Sequence, residues 1–365
     1  HLSIRRQRQM CIRDRGENML NDAPVHGMSH VIGDTSEPLN EETIPELFAR
    51  IVSSFPQREA VVFTAQNIRW NWVEFAEQVD RLAGGLLRLD IKKGDRVGIW
   101  SPNRVEWLLT QFATARIGAI LVCINPAYRP YELEFALNNV GCQALVTARS
   151  FKSSDYISIL QNLAPELLSS KPGDLRATKV PDLRAIITVG EEAPPPGMLS
   201  FKRTLDLGDE VPVADLDSIT NTLDCNDTIN IQFTSGTTGR PKGAALTHRN
   251  IVNNAHFVTS RMNLTEEDRL CIPVPFYHCF GMVMGVLGCV TKGTAIIIPG
   301  EGFDPSDTLK TISNESCTAL FGVPTMFVAE LDLPEFESYN LSSLRTGIMA
   351  GSPCPCLLYT SPSPR

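Results

Sequence analysis

Along this chain, short apolar runs alternate with longer stretches whose apolar positions recur every three or four residues. Residues 60–63, 96–100, 119–124, 144–147, 184–189, 229–233, 270–273, 295–298, 319–321 and 344–350 read as strands. Between the first two, Trp72, Val73, Phe75, Ala76, Val79, Leu82, Ala83, Leu86 and Leu87 fall at helical spacing, with Asn71 as the N-cap. Helices are also predicted over 105–117, 130–140, 154–168, 250–261, 280–291, 305–312 and 324–331. Two polar stretches containing Pro and Gly, 169–181 and 190–227, read as surface loops. Strands alternating with helices predict an α/β architecture of largely parallel sheets covered by helices.

Composition narrows the class. A hydrophobic fraction of 43% with 20% charged residues is that of a soluble globular protein. A net charge of −8 makes nucleic acid and anionic membranes unexpected partners. Ten cysteines without a Cys-x-x-Cys pair argue against zinc and a disulfide framework, and for reduced, buried thiols. The longest apolar run, 280–290, is too short to span a bilayer, so no transmembrane segment is expected. Residues 1–15 hold five arginines, and 356–365 hold Pro362 and Pro364 where a helix would have to continue. Both ends resemble translated adapter DNA and are expected to be non-native tails. They carry +4 and +1, leaving the body at −13. A cytoplasmic location is expected, with the mitochondrial matrix as the alternative that an Arg-rich leader would imply.

The candidate chemistry lies between 229–233 and Ala244-Ala245-Leu246, in Thr234-Ser235-Gly236-Thr237-Thr238-Gly239-Arg240-Pro241-Lys242-Gly243. Glycines let backbone N–H groups approach a ligand, hydroxyls add donors, and the lysine brings a mobile positive charge. Such a loop suits a polyphosphate better than an ordinary turn. It is not a Walker loop, because no Gly-Lys dipeptide occurs in the chain and Pro241 opposes entry into a helix. Nor do any three glycines have Gly-x-Gly-x-x-Gly spacing.

This run resembles the phosphate-binding signature of the adenylate-forming superfamily, which contains acyl-CoA synthetases, luciferases and peptide-synthetase adenylation domains. Further segments are similar in the same order: 94–99, 125–128, 247–254, Pro275-Phe276-Tyr277-His278-Cys279-Phe280-Gly281, 321–327 and 348–353. Within the superfamily the motifs are most similar to medium-chain fatty acyl-CoA synthetases. The resemblance implies the large N-terminal domain of those enzymes, with stacked, mostly parallel sheets, over 16–355. It also implies ATP, Mg²⁺ and CoA as cofactors and co-substrates, with a fatty acid as the other small-molecule substrate. By position, Thr234 to Gly243 would hold the β- and γ-phosphates, with Lys242, Thr237 and His278 catalytic. Gly351 would meet the nucleotide. Tyr277, His278, Gly322, Val323, Pro324, Thr325 and Ala350 would line the acid, with His278 beside its carboxylate.

From its residues alone, His278 in an apolar segment is more readily a structural histidine. The resemblance reverses that preference. Met282, Met284, Met326 and Phe327 suit either a tunnel for an apolar tail or plain core packing. His248 and His256, without metal-ligand spacing, are expected at the surface or as caps. Relatives continue past 355 with a glutamate for Mg²⁺, an aspartate for the ribose and a small C-terminal domain carrying a lysine. None is in this sequence, so the 365 residues alone are expected to be inactive. An aryl or amino-acid ligase and a non-catalytic nucleotide-binding module remain alternatives.

Overall fold

Two sheets form where the apolar runs fall. The computed structural model describes residues 37–234 and 241–354, and all the elements below belong to the unit Asn40–Arg365. Strands β1 (Glu59–Phe63) and β2 (Ile68–Asn71) make an antiparallel hairpin. Strands β3 (Arg96–Trp100), β4 (Ile120–Cys123) and β5 (Cys142–Thr147) pair in parallel. A small hairpin follows, β6 (Ser150–Phe151) with β7 (Ser154–Asp155), then β8 (Ala185–Thr188) and β9 (Leu199–Ser200). The remaining strands are β10 (Thr228–Thr234), β11 (Lys242–Thr247), β12 (Arg269–Cys271), β13 (Ala295–Ile298), β14 (Ala319–Gly322) and β15 (Thr346–Met349).

One sheet has the order β11-β10-β4-β3-β5-β8-β9 and the other β15-β14-β12-β13-β1-β2. Pairing is parallel throughout except at one edge of each, β10–β11 and β1–β2. Strands β8 and β13 are buried at every position, which is why their sequences are continuously apolar.

Helices Trp72–Arg88, Val105–Arg116 and His248–Arg261 join the sheets into one core. That core unites Phe63 of β1, Ile99 of β3, Phe75, Leu108, Ile251 and Val286. Helix Val105–Arg116 is buried from Val105 through Ala115, so its polar residues must find partners within it. Thr110 and Thr114 do so, each donating to the carbonyl one turn back, at 2.6 and 2.8 Å. Asn71 is the N-cap, reciprocated by Glu74 in a capping box.

Three expectations are corrected. Stretch 154–168 is not one helix: Ser154 belongs to the small hairpin, and helix Tyr156–Leu163 stops at Ala164 because Pro165 excludes helical backbone before it. Stretch 190–227 is not a plain loop, since it holds β9 and the helices Phe201–Gly208 and Val213–Thr220. The buried helix after 280 is wound as a π-helix over Phe280–Leu287 before becoming α-helical at Gly288–Lys292. Among the described residues no helix is long and apolar enough to cross a membrane.

Candidate active site

In parallel sheets the strand C-termini open on a common side, where ligands usually bind. Thr234 ends β10 and Lys242 begins the antiparallel β11, so the phosphate-type loop joins two paired strands instead of entering a helix. Thr234 and Lys242 are cross-strand partners, and Thr234 Oγ1 donates to the Lys242 carbonyl at 3.5 Å. Both side chains are exposed, as is Gly243, which pairs with Phe233, while Pro241 is half-buried. Ser235, Gly236, Thr237, Thr238, Gly239 and Arg240 lie outside the described residues.

The second group of residues follows β12. Asn103, 3% exposed, clamps this segment: its Nδ2 donates to Val274 O at 3.0 Å, and Phe276 N–H donates to its Oδ1 at 2.8 Å. Tyr277 is half-buried, and desolvation raises its phenol above its ordinary range. His278 is exposed. Its Nδ1 accepts the Phe280 N–H at 3.1 Å, so the neutral ring carries its proton on Nε2 and presents a donor. The turn depends on Gly281, where a Cβ would strike the Pro275 carbonyl.

Strands β14 and β15 bring the last two motifs together. Gly322 pairs with Met349, and Ala350 N–H donates to Gly322 O at 3.2 Å. Gly351, at φ +90, has left-handed backbone that favours glycine, and a Cβ there would lie 3.1 Å from Val323 Cγ1. Pro324 starts helix Pro324–Leu331 with Val323 as N-cap, Thr325 is exposed and Met326 half-buried. Phe280 and Phe321 stack at 5.1 Å and tie this group to the His278 turn.

A cavity of about 440 Å³ opens between the groups. Tyr277 and Met326 line it beside Asn103, Asn125, Pro126 and Lys152, which follow strands of the other sheet. Its rim is fixed: Trp100 Nε1 donates to Asn125 O at 3.1 Å, and Tyr156 Oη donates to Pro126 O at 2.5 Å. Sequence reasoning missed Asn103; its one visible signal was an amide directly after the turn that ends an apolar strand.

One histidine expectation is corrected. His248 is completely buried; its Nδ1 accepts the Ile44 N–H at 3.0 Å across 204 residues of sequence. Burial pushes its pKa down to about 4, only partly opposed by Asp227 and Glu46. His256 is half-buried in the same helix.

Comparison with known proteins follows the same outline. The AMP-binding enzyme family matches residues 48–359. YngI of Bacillus subtilis (strain 168), which carries the name of an acyl-CoA synthetase, is 47% identical over 317 residues, covering 87% of this chain and 57% of that protein. The mitochondrial medium-chain acyl-CoA ligase ACSF2 of Danio rerio is 44% identical over 334 residues, covering 91% of this chain and 55% of that one. The chain therefore spans about half the length of the curated relatives it matches. Among solved structures, the anthranilate CoA ligase AuaEII in complex with anthranoyl-AMP superposes with a TM-score of 0.74 at 23% identity, covering 90% of this chain and 58% of that one. At that identity the likeness concerns the fold.

Proposed function

The chain belongs to the AMP-binding enzyme family, and from that premise we propose that the enzyme carrying it activates a medium-chain fatty acid with ATP, the 365 residues by themselves being inactive. The acid carboxylate attacks the α-phosphorus, the bond to pyrophosphate breaks, and acyl-AMP forms. The thiol of CoA then attacks the acyl carbon, AMP leaves, and the thiol proton goes to solvent. The substrate supplies the nucleophile, so the protein's task is positioning and charge stabilisation.

In this reading the loop from Thr234 through Ser235, Gly236, Thr237, Thr238, Gly239, Arg240 and Pro241 to Lys242 and Gly243 holds the β- and γ-phosphates. Lys242, with Arg240, offsets charge on the departing pyrophosphate, and Mg²⁺ bound to the phosphates would supply further neutralisation. His278 offers its Nε2–H to the carboxylate, with Tyr277 beside it. Gly322 to Thr325 and Ala350 flank the acyl group, and the exposed backbone at Gly351 suits close approach of the nucleotide. The cavity beside Tyr277 gives the acid and the thiol a route in. The proposed compartment is the cytoplasm, with the mitochondrial matrix as the alternative.

The observation that supports this reading is the contact of the segment after His278 with both sheets: Phe280 stacks on Phe321 at 5.1 Å, and Met282 Sδ lies 3.5 Å from Nε2 of Gln232, on the strand that ends at Thr234. The test is acid-dependent exchange of labelled pyrophosphate into ATP by the full-length enzyme carrying this sequence. Exchange strongest with medium-chain acids is expected. Exchange with amino or aryl acids alone, or with none, would refute it.

A further inference from the structure

The cavity beside Tyr277 is one open space that reaches from the His278 turn to the small hairpin β6–β7, whose Phe151 and Lys152 line it. Phe151 pairs with Ser154, so Lys152 and Ser153 alone form the turn. Lys152 sits there at φ +52, a left-handed backbone that such a turn usually gives to glycine. The hairpin is firmly seated. Asp155 caps the helix that follows, and Tyr156 stacks on Trp100 at 3.5 Å while donating to Pro126 O. Backbone strain persists only where the surroundings over-determine it, and it marks residues with a task.

The free donors of the cavity show what that task is. The Lys152 ammonium lies 5.4 Å over the Phe151 ring and meets no carboxylate among the described residues. Glu301, which also lines the cavity, is taken by Arg104. Asn125 spends its Oδ1 on Ala127 N–H at 2.9 Å, leaving Nδ2 without an acceptor among the described residues, and the Tyr277 hydroxyl has none either. Pro126, Pro275, Phe303 and Met326 supply apolar wall between these donors.

We infer that the outer part of this cavity is the lane of the thiol substrate: Lys152 holds the phosphate at the end of its arm, and Asn125 and Tyr277 donate to amide carbonyls along it. The inference rests on the acid-activation reading above. Of the three substrates in that reading, the fatty tail has no acceptor for these donors. The triphosphate lies elsewhere, because β5, which leads into the hairpin, stands three places from β10 in the sheet, about 14 Å across. CoA combines a thiol, an amide-bearing arm and phosphates. An extended arm of roughly a dozen bonds bridges a distance of that order. Its methylenes suit the proline and aromatic walls, and its phosphate gives the unpaired ammonium a partner.

The test uses the full-length enzyme and its Lys152→Gln and Lys152→Arg variants, with decanoic acid and either phosphopantetheine or pantetheine as the thiol. The wild type should favour phosphopantetheine by about tenfold in kcat/KM, the scale of one hydrogen bond to a charged group, and added salt should shrink that ratio. Lys152→Gln should bring the ratio near one, and Lys152→Arg should restore most of it. A wild-type ratio near one overturns the inference, even if a variant does not fold. So does a preference that Lys152→Gln keeps. Acid-dependent pyrophosphate exchange proceeds without thiol, so a Lys152→Gln enzyme that loses exchange as fully as thioester formation has lost structure, and that result also overturns the inference. Absence of exchange in the wild type refutes the acid-activation reading itself and this inference with it.

Discussion

Replacing Asn103 with alanine separates positioning from chemistry. Asn103 touches no motif residue assigned to substrate, yet its amide holds Val274 O and Phe276 N–H at 3.0 and 2.8 Å, just before Tyr277 and His278. The site is dry, with Asn103 only 3% exposed, so alanine strands one donor and one acceptor. At about 1–3 kcal/mol for each orphaned group, the loss is expected near 4 kcal/mol. Freed of its clamp, the His278 turn drifts, and displacement on the order of 1 Å costs roughly a hundredfold in rate. Asn103→Asp keeps an acceptor for Phe276 but sets a carboxylate oxygen against the Val274 carbonyl, so it should retain only part of the stability. Urea unfolding and acid-dependent pyrophosphate exchange read the two effects. Wild-type stability in Asn103→Ala would refute the clamp, and lost stability with unchanged kcat would refute its link to His278.

Three further outcomes follow. The pKa of His248 is about 4 folded against 6.5 free, so the unfolded chain binds the extra proton and stability drains as pH falls from 6.5 towards 4. The loss approaches about 3 kcal/mol and should shrink in His248→Asn, measured by urea midpoints across that range. Glu330 behaves oppositely: burial lifts its carboxyl from 4.5 to about 8, so its contribution is full below 4.5 and disappears as pH rises through 8. Glu330→Gln should therefore match the wild type at acidic pH and exceed it above 8 by up to roughly 4 kcal/mol in thermal or urea unfolding. Gly351→Ala, forced to hold φ +90, should lose about 1–2 kcal/mol by the same measurement.

Most strands and long helices were legible because each keeps one period and buries a continuous face, as helix Trp72–Arg88 does behind its Asn71 cap. Helix Phe201–Gly208 was not, and its packing explains why. It lies against helix Trp72–Arg88 through Gly85 and Gly208, where any Cβ would strike the Thr204 or Arg81 carbonyl. Backbone contact of that kind leaves no apolar repeat to read. His248 sits among Thr247, Arg249 and Asn250, a polar neighbourhood that hides a burial created by Ile44, far away in sequence. At the site, the loop chemistry and the motif order were visible in the residues, and belonging to the family is borne out. Asn103 was missed because its one cue, an amide just after an apolar strand, gains meaning only when it meets Val274 and Phe276, 171 and 173 residues away.

The claim that the β10–β11 hairpin loop grips the triphosphate has a direct test. ATP binding and acid-dependent turnover should be measured in the full-length enzyme before and after Lys242, Thr237 and Thr238 are changed together to alanine. The account predicts weaker ATP binding and a rate lower by at least a hundredfold, the scale of about 3–4 kcal/mol of lost charge stabilisation. Unchanged affinity together with unchanged rate would contradict it.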